Sequence, residues 1–275
     1  MSFWESILLG LLQGLTEFLP VSSSGHLTLF GALLGVSEGE GDPYRFFVVM
    51  THFGTLLAIL IYYRLDLGRM IMAVLRWLGS GFKVRPSDRA DLNCAGIIIL
   101  ATIPAVLVGL SLDHFLDRLF REPLPAAIFL SVTGFILLST RWTGSRGQRA
   151  ELNLPRGLLV GLAQAFAILP GISRSGSTIA MGLAMGMKRA EAARFAFLLA
   201  IPALFGAALF DTMKIESLTS VNWPVLIAGT VTSLVSGYIA LVWLIRLLAR
   251  DSFWKFSFYC WGASITGLLV IVFTG

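Results

Sequence analysis

Six long stretches of this chain carry almost no charge, and few folds are open to such stretches. Each reaches the ~18–20 residues that a helix needs to cross the ~30 Å apolar core of a bilayer. The whole chain is 56% hydrophobic and 13% charged. We therefore predict an all-α polytopic membrane protein that binds no nucleic acid, because its basic residues fall in loops. The six stretches are 46–63, 92–112, 123–140, 190–213, 217–245 and 256–275.

Four further apolar segments are too short to cross, and we expect each pair to enter and leave on one side as a re-entrant unit. The pairs are 4–18 with 24–36, and 157–169 with 175–186. Six crossings then put sixteen Lys and Arg residues on one side and four on the other. The positive-inside rule makes the rich side cytoplasmic, with loops 64–91 and 141–154, and puts both termini outside. The first loop suggests an amphipathic helix, lying in the membrane interface or as an ordinary loop helix.

The sequence resembles itself at an offset of 151 positions, which indicates a duplication into units 1–140 and 155–275. Three crossings separate the two short-helix pairs, so the second unit is predicted to be inverted. In inverted repeats, broken helices from the two halves meet near the midplane and bind the substrate there. The offset aligns Gly10 with Gly161, Gln13 with Gln164, Ser22 with Ser173, Ser24 with Ser175, and Gly25 with Gly176.

The interruptions PVSSSGH (20–26) and PGISRSGST (170–178) are expected to be two tips of one site. Proline breaks the helical hydrogen bonding and frees backbone N–H groups. Ser24 and Ser175 are placed to cap the helices that follow, and Gly25 and Gly176 let a ligand approach the backbone. Helix N-termini bind anions, so two that face each other suit a diphosphate.

Two charged residues stand inside these units. Burying Arg174 at membrane depth costs ~2.5–3.5 kcal/mol, which suggests that its guanidinium binds phosphate oxygens; a structural pair with Glu17 is the alternative. Glu17 and Gln13 share a helix face and could hold a divalent cation such as Mg²⁺. Glu17 as counter-ion of Arg174, or as general base, stays open.

Ser23 and His26 project from one turn if a helix begins near residue 23. A hydroxyl within reach of an imidazole is the minimum for base-assisted nucleophilic attack. We therefore predict that Ser23 and His26 are catalytic. His52 and His114 have no such neighbours in the sequence and are expected to be structural.

The segments QGLTEFLPVSSSGH (13–26) and LPGISRSGST (169–178) resemble the two motifs of the bacterial undecaprenyl-diphosphate phosphatases associated with bacitracin resistance. The resemblance implies hydrolysis of undecaprenyl diphosphate to undecaprenyl phosphate and inorganic phosphate, which recycles the lipid carrier for cell-wall polymers. It also implies a divalent cation (Mg²⁺ or Ca²⁺), the bacterial inner membrane and a site open to the periplasm. Gln13 stands where many relatives have a second glutamate. The implied catalytic residues are Glu17, Ser23, His26 and Arg174, and the implied phosphate-binding residues are Ser22, Ser24, Gly25, Ser173, Ser175, Gly176 and Thr178.

Two mechanisms and two functions remain open at this point. Ser23 attacks the terminal phosphorus with help from His26, or it only holds oxygens while a metal-bound water attacks. An inverted-repeat transporter or flippase of a lipid phosphate or another anion is the alternative function. A polyprenyl diphosphate lipid is the expected partner in either case, and a homodimer is compatible with the architecture.

Overall fold

The computed structural model describes residues 1–34, 42–143, 151–215, 217, 221–250 and 252–274, which form twelve α-helices and no β-strand. Residues 35–36 of the predicted segment 24–36, and residues 144–150 of the loop 141–154, lie outside the described residues. The helices are α1 (Phe3–Phe18), α2 (Ser23–Leu34), α3 (Asp42–Tyr62), α4 (Arg64–Gly79), α5 (Arg89–Ser111), α6 (Asp113–Arg121), α7 (Pro123–Thr143), α8 (Leu154–Phe166), α9 (Arg174–Ala184), α10 (Arg189–Met213), α11 (Trp223–Ala249) and α12 (Phe256–Thr274).

The six predicted crossings are confirmed as helices long and apolar enough to span a membrane. They are α3, α5, α7, α10, α11 and α12, and they contain 19 to 27 residues each. Their outward faces carry large apolar side chains, such as Ile99, Phe135 and Val272. This protein is therefore a multi-pass membrane protein.

The four short helices begin and end where the sequence provides local signals. Ser2 and Glu5 form a capping box at the start of α1, and α1 ends at Phe18, two residues before Pro20. The Asn153 side chain caps α8, and proline stands in the first turn of that helix. These pairs, α1 with α2 and α8 with α9, match the segments predicted from sequence.

Glycines let the short helices pack very closely against the long ones. A Cβ atom on Gly10 would lie 2.3 Å from the carbonyl oxygen of Gly229 on α11. A Cβ atom on Gly161 would lie 2.2 Å from the carbonyl oxygen of Ala101 on α5. Small residues of this kind bring helix backbones together inside membranes. Since the 151-residue offset pairs Gly10 with Gly161, the two units use the same device to fix α1 and α8.

Helix α4 confirms that the loop 64–91 contains a helix with an apolar face. Met70 and Ala73 are buried, while Leu65, Leu75 and Leu78 are exposed. Arg76 donates to both carboxylate oxygens of Asp88 at 2.9 and 2.7 Å, and this bond raises the pKa of Arg76. The position of α4 relative to the membrane surface remains a prediction.

Candidate active site

The two helix pairs meet at their interrupted ends. The hydroxyl of Ser175, in the first turn of α9, donates to the carbonyl oxygen of Leu19, which follows α1, at 3.3 Å. A Cβ atom on Gly25 would lie 3.0 Å from Cα of Gly171, so the two turns touch backbone to backbone. Segments about 150 positions apart therefore form one continuous cluster.

The two turns are built by the same hydrogen bonds. The Ser22 side chain accepts the N–H of Gly25 at 3.3 Å, and the Ser173 side chain accepts the N–H of Gly176 at 3.1 Å. In each turn this serine also bonds the serine two positions on, at 3.2 Å: Ser22 with Ser24, and Ser173 with Ser175. Ser22 and Ser173 therefore make the caps that we expected from Ser24 and Ser175. The reason is that α2 begins at Ser23 and α9 at Arg174, each directly after its capping serine.

Thr133 of α7 holds the second turn in place, and no sequence pattern predicted this role. Its hydroxyl donates to the Gly171 carbonyl oxygen at 2.7 Å and accepts the N–H of Ser173 at 3.0 Å. Gly171 has φ of +95°, a conformation that glycine adopts without strain. The hydroxyl of Thr178, predicted to bind phosphate, donates to the Arg174 carbonyl oxygen at 2.8 Å within its own helix.

Glu17 is the centre of the cluster. Its carboxylate accepts hydrogen bonds from Arg174 at 2.5 Å, from the Ser23 hydroxyl at 2.6 Å and from the Gln13 amide at 3.0 Å. Only 7% of Glu17 is exposed, so the charge is shielded from water and compensated by these donors. The structure thus brings together four of the predicted site residues.

Arg174 uses only part of its donor capacity on Glu17. Its Nη1 atom is buried and has no hydrogen-bond partner among the described residues. A buried guanidinium N–H without a partner is costly unless a ligand supplies an acceptor. Nη1 is therefore available to an anionic oxygen while Nη2 contacts Glu17.

His26 does not make the hydrogen bond to Ser23 that we expected. Its Nδ1 lies 2.8 Å from the Ser22 carbonyl oxygen, and its Nε2 lies 2.9 Å from the hydroxyl of Tyr259 on α12. A carbonyl oxygen only accepts, so Nδ1 carries the hydrogen and Nε2 accepts from Tyr259. The two rings are stacked, with centroids 5.6 Å apart. His26 thus fixes the turn that carries Ser23, whereas Glu17 accepts the Ser23 hydroxyl.

His52 is a member of this cluster, although we expected it to be structural. Its Nε2 lies 3.8 Å from Oε2 of Glu17. No sequence pattern predicted this contact, because His52 stands on α3, 35 positions beyond Glu17. Only the packing of α3 against α1 turns it toward the carboxylate. His114, on α6, lines a separate surface cavity with Arg118 and Phe210.

The pair of Glu17 and Gln13 does not suit a divalent cation as it is arranged here. Gln13 turns its NH₂ group toward the carboxylate, and both carboxylate oxygens already accept from cationic or polar donors. The Gln13 oxygen is buried without a partner. In the part of the chain that the structure describes, no three His, Cys, Asp or Glu side chains are grouped to hold a metal ion.

The chain is similar to a known family over nearly its whole length. The family model described as Bacitracin resistance protein BacA matches residues 6–266. Proteins named undecaprenyl-diphosphatase are similar throughout. The protein from Methanobrevibacter smithii is 40% identical, over 99% of this chain and 98% of the relative. The protein from Desulfosudis oleivorans is 42% identical, over 93% of this chain and 94% of the relative. The protein from Alcanivorax borkumensis is also 42% identical, over 94% of this chain and 95% of the relative.

Proposed function

The chain belongs to the bacitracin resistance protein BacA family, and from this premise we propose that it hydrolyses undecaprenyl diphosphate to undecaprenyl phosphate and inorganic phosphate. The named relatives match it from end to end, so the same activity is assigned to the whole chain. The observation that carries the proposal is the hydrogen bond from the Ser23 hydroxyl to Glu17, beside an arginine with a free N–H group. A nucleophile, its base and an anion donor thus lie within one cluster.

In the proposed mechanism, Ser23 is the nucleophile and Glu17 is its general base. Ser23 Oγ attacks the terminal phosphorus and gives its proton to Oε2 of Glu17, the oxygen that it already contacts at 2.6 Å. Arg174 and the N–H groups of α2 and α9 stabilise the charge on the phosphoryl oxygens. Water then displaces Ser23 and releases phosphate. Direct attack by water, with Ser23 only holding oxygens, is the alternative that a trapped phosphoserine would rule out.

His26 has a positioning role in this mechanism. Its bond to the Ser22 carbonyl oxygen stabilises a residue whose φ is +67°, a conformation that is unfavourable for serine. Ser23 follows directly. The imidazole therefore acts on the nucleophile through the backbone that carries it.

The membrane arrangement is part of the proposal. The pairs α1–α2 and α8–α9 are re-entrant, the two units 1–140 and 155–275 are inverted, and the tips meet inside the bilayer. The side rich in Lys and Arg is cytoplasmic, and the termini are periplasmic in the bacterial inner membrane. The site opens to the periplasm, and a homodimer remains a prediction.

A divalent cation, Mg²⁺ or Ca²⁺, is proposed to enter with the substrate. Mg²⁺ is commonly held by water and phosphate oxygens with few protein ligands. When bound, it would neutralise charge on the diphosphate. Gln13 and Arg174 already donate to the Glu17 carboxylate, which supports a cation held by substrate oxygens and water instead of by Glu17.

Phosphate release from a purified sample tests the proposed function. The protein in detergent, supplied with a polyprenyl diphosphate and Mg²⁺, is expected to release inorganic phosphate, and Ser23→Ala and Arg174→Ala are expected to lose this activity. The transporter alternative is not favoured, because the relatives are named as phosphatases. If the wild-type protein binds the lipid but does not cleave it, the transporter alternative is favoured instead.

A further inference from the structure

His52 is the least buried ionisable group in contact range of Glu17. Its side chain is 26% exposed, against 5% for the side chain of Glu17. We propose that His52 is a proton relay, which takes from Glu17 the proton that Ser23 loses and passes it to water. This inference rests on the proposed function, because it concerns the proton that the hydrolysis releases.

The tautomer of His52 suits this role. Its Nδ1 lies 2.9 Å from the Val48 carbonyl oxygen, which only accepts, so Nδ1 carries the hydrogen of the neutral ring. The lone pair of the neutral ring is then on Nε2, the atom that faces Oε2 of Glu17 at 3.8 Å. That distance is too long for a hydrogen bond, and a carboxylate has no hydrogen to offer. Once Glu17 is protonated, Oε2 has a hydrogen to donate and Nε2 is the acceptor beside it.

The atoms of the reaction balance with one proton to export. When the Ser23 Oγ–P bond forms and the bridging P–O bond breaks, the hydroxyl proton passes to Oε2, then to Nε2, then to water. In the second step, the hydroxide part of a water molecule bonds to phosphorus, the Oγ–P bond breaks, and the remaining proton returns to Oγ. Undecaprenyl phosphate, hydrogen phosphate and one proton are the products near neutral pH. Glu17 is buried, so without an exit it would stay protonated and could not serve as base again.

The charges around His52 favour a transient imidazolium. Glu17 faces it from α1, with Arg174 of α9 on the far oxygen of that carboxylate. Asp211 of α10 interacts with it electrostatically as well. From α11, the Ser233 hydroxyl donates to the carbonyl oxygen of Thr51, beside His52, and brings no charge. An imidazole can both accept and release a proton, which is what a relay between a buried carboxyl group and water needs.

Two substitutions separate proton transfer from hydrogen bonding. His52→Asn can keep the bond to the Val48 carbonyl oxygen but lacks an atom at Nε2. His52→Gln keeps an amide near the Nε2 position, but this amide cannot ionise. His114→Gln, the same change on α6, is the matched control. We expect kcat to fall about 100-fold in both His52 variants, the lower range for an acid–base group, with KM changed less than about twofold.

Three measurements distinguish a proton relay from a structural role of His52. The pH dependence of kcat is expected to differ between the wild-type protein and His52→Asn, because the variant lacks the ionisable group beside Glu17. Added imidazole should restore part of the activity of His52→Asn, since the site is partly exposed. The melting temperature in detergent should match that of His114→Gln.

The outcomes distinguish the relay from the proposed function. If the wild-type protein cleaves the lipid and His52→Gln keeps the wild-type kcat, hydrogen bonding suffices and the relay is overturned. A loss of kcat that imidazole does not relieve, with an unchanged pH profile, also overturns it. If the wild-type protein cleaves nothing, the proposed function fails, and the relay fails with it.

Discussion

Arg174 Nη2 and Glu17 Oε1 lie 2.5 Å apart, although 157 positions of chain separate the two residues. The bond joins the start of α9 to the end of α1 and closes the two turns on each other. Nη1 of Arg174 has no partner among the described residues, so an anion could bind there while Nη2 keeps its contact with Glu17.

The ion pair is expected to make the fold sensitive to loss of one partner. Arg174→Gln leaves Glu17 charged and buried, which costs roughly 3–5 kcal/mol in other buried pairs. The double variant Glu17→Gln with Arg174→Gln should regain most of this loss, because no unpaired charge remains. Thermal unfolding in detergent measures both effects. A double variant less stable than Arg174→Gln would contradict this account, and neither variant should release phosphate.

Ser23 is expected to carry the phosphoryl group. Rapid quenching of the wild-type protein with a polyprenyl diphosphate labelled in its terminal phosphate should trap a phosphoserine at position 23. Ser23→Ala should lose at least about 10³-fold in kcat, since a nucleophile cannot be replaced by a methyl group. Ser24→Ala, at the neighbouring position but bonded to Ser22, should lose much less. Full activity of Ser23→Ala would favour direct attack by water.

The hydroxyl of Tyr259 is expected to contribute through His26. Tyr259→Phe removes the donor to Nε2 but keeps the stacked ring, so about 1 kcal/mol of stability and a several-fold decrease in kcat are expected. The position of the imidazole ¹⁵N resonances should change with the loss of this bond. Tyr238→Phe, on α11, makes the same chemical change away from His26. Equal kinetics for the two variants would show that Tyr259 does not act through His26.

Gly171 is expected to tolerate no side chain. A Cβ atom there would lie 2.3 Å from the Ala126 carbonyl oxygen, and the residue has φ of +95°. Gly171→Ala should therefore lower both the yield of folded protein and the activity. Gly206→Ala is the control, because that Cβ would meet no atom within 4 Å and alanine favours a helix by about 1 kcal/mol. A stable, active Gly171→Ala protein would show that this turn can move away from α7.

The sequence predicted those parts of the molecule that depend on local signals. The length of each apolar run predicted the six crossings, and the prolines predicted where the short helices end. The neighbours of Glu17 were harder to predict, because they depend on the rotation of each long helix about its axis in the packed bundle. His52 and Tyr259 reach the site from α3 and α12, and no motif marks either of them. The sequence likewise did not show that His26 bonds Tyr259 instead of Ser23, since Tyr259 lies 233 positions beyond His26.

The predicted duplication leads us to expect that neither half of the chain works alone. At the 151-residue offset, Ser23 corresponds to Arg174, and Glu17 corresponds to Ile168. A symmetric assembly of two first halves would place two copies of Glu17 and no Arg174 at the site. A symmetric assembly of two second halves would place two copies of Arg174 and no Glu17 there. The two halves therefore supply complementary residues at these aligned positions. Separately expressed halves should regain activity only when a first half and a second half associate, as an obligate pair of unlike parts.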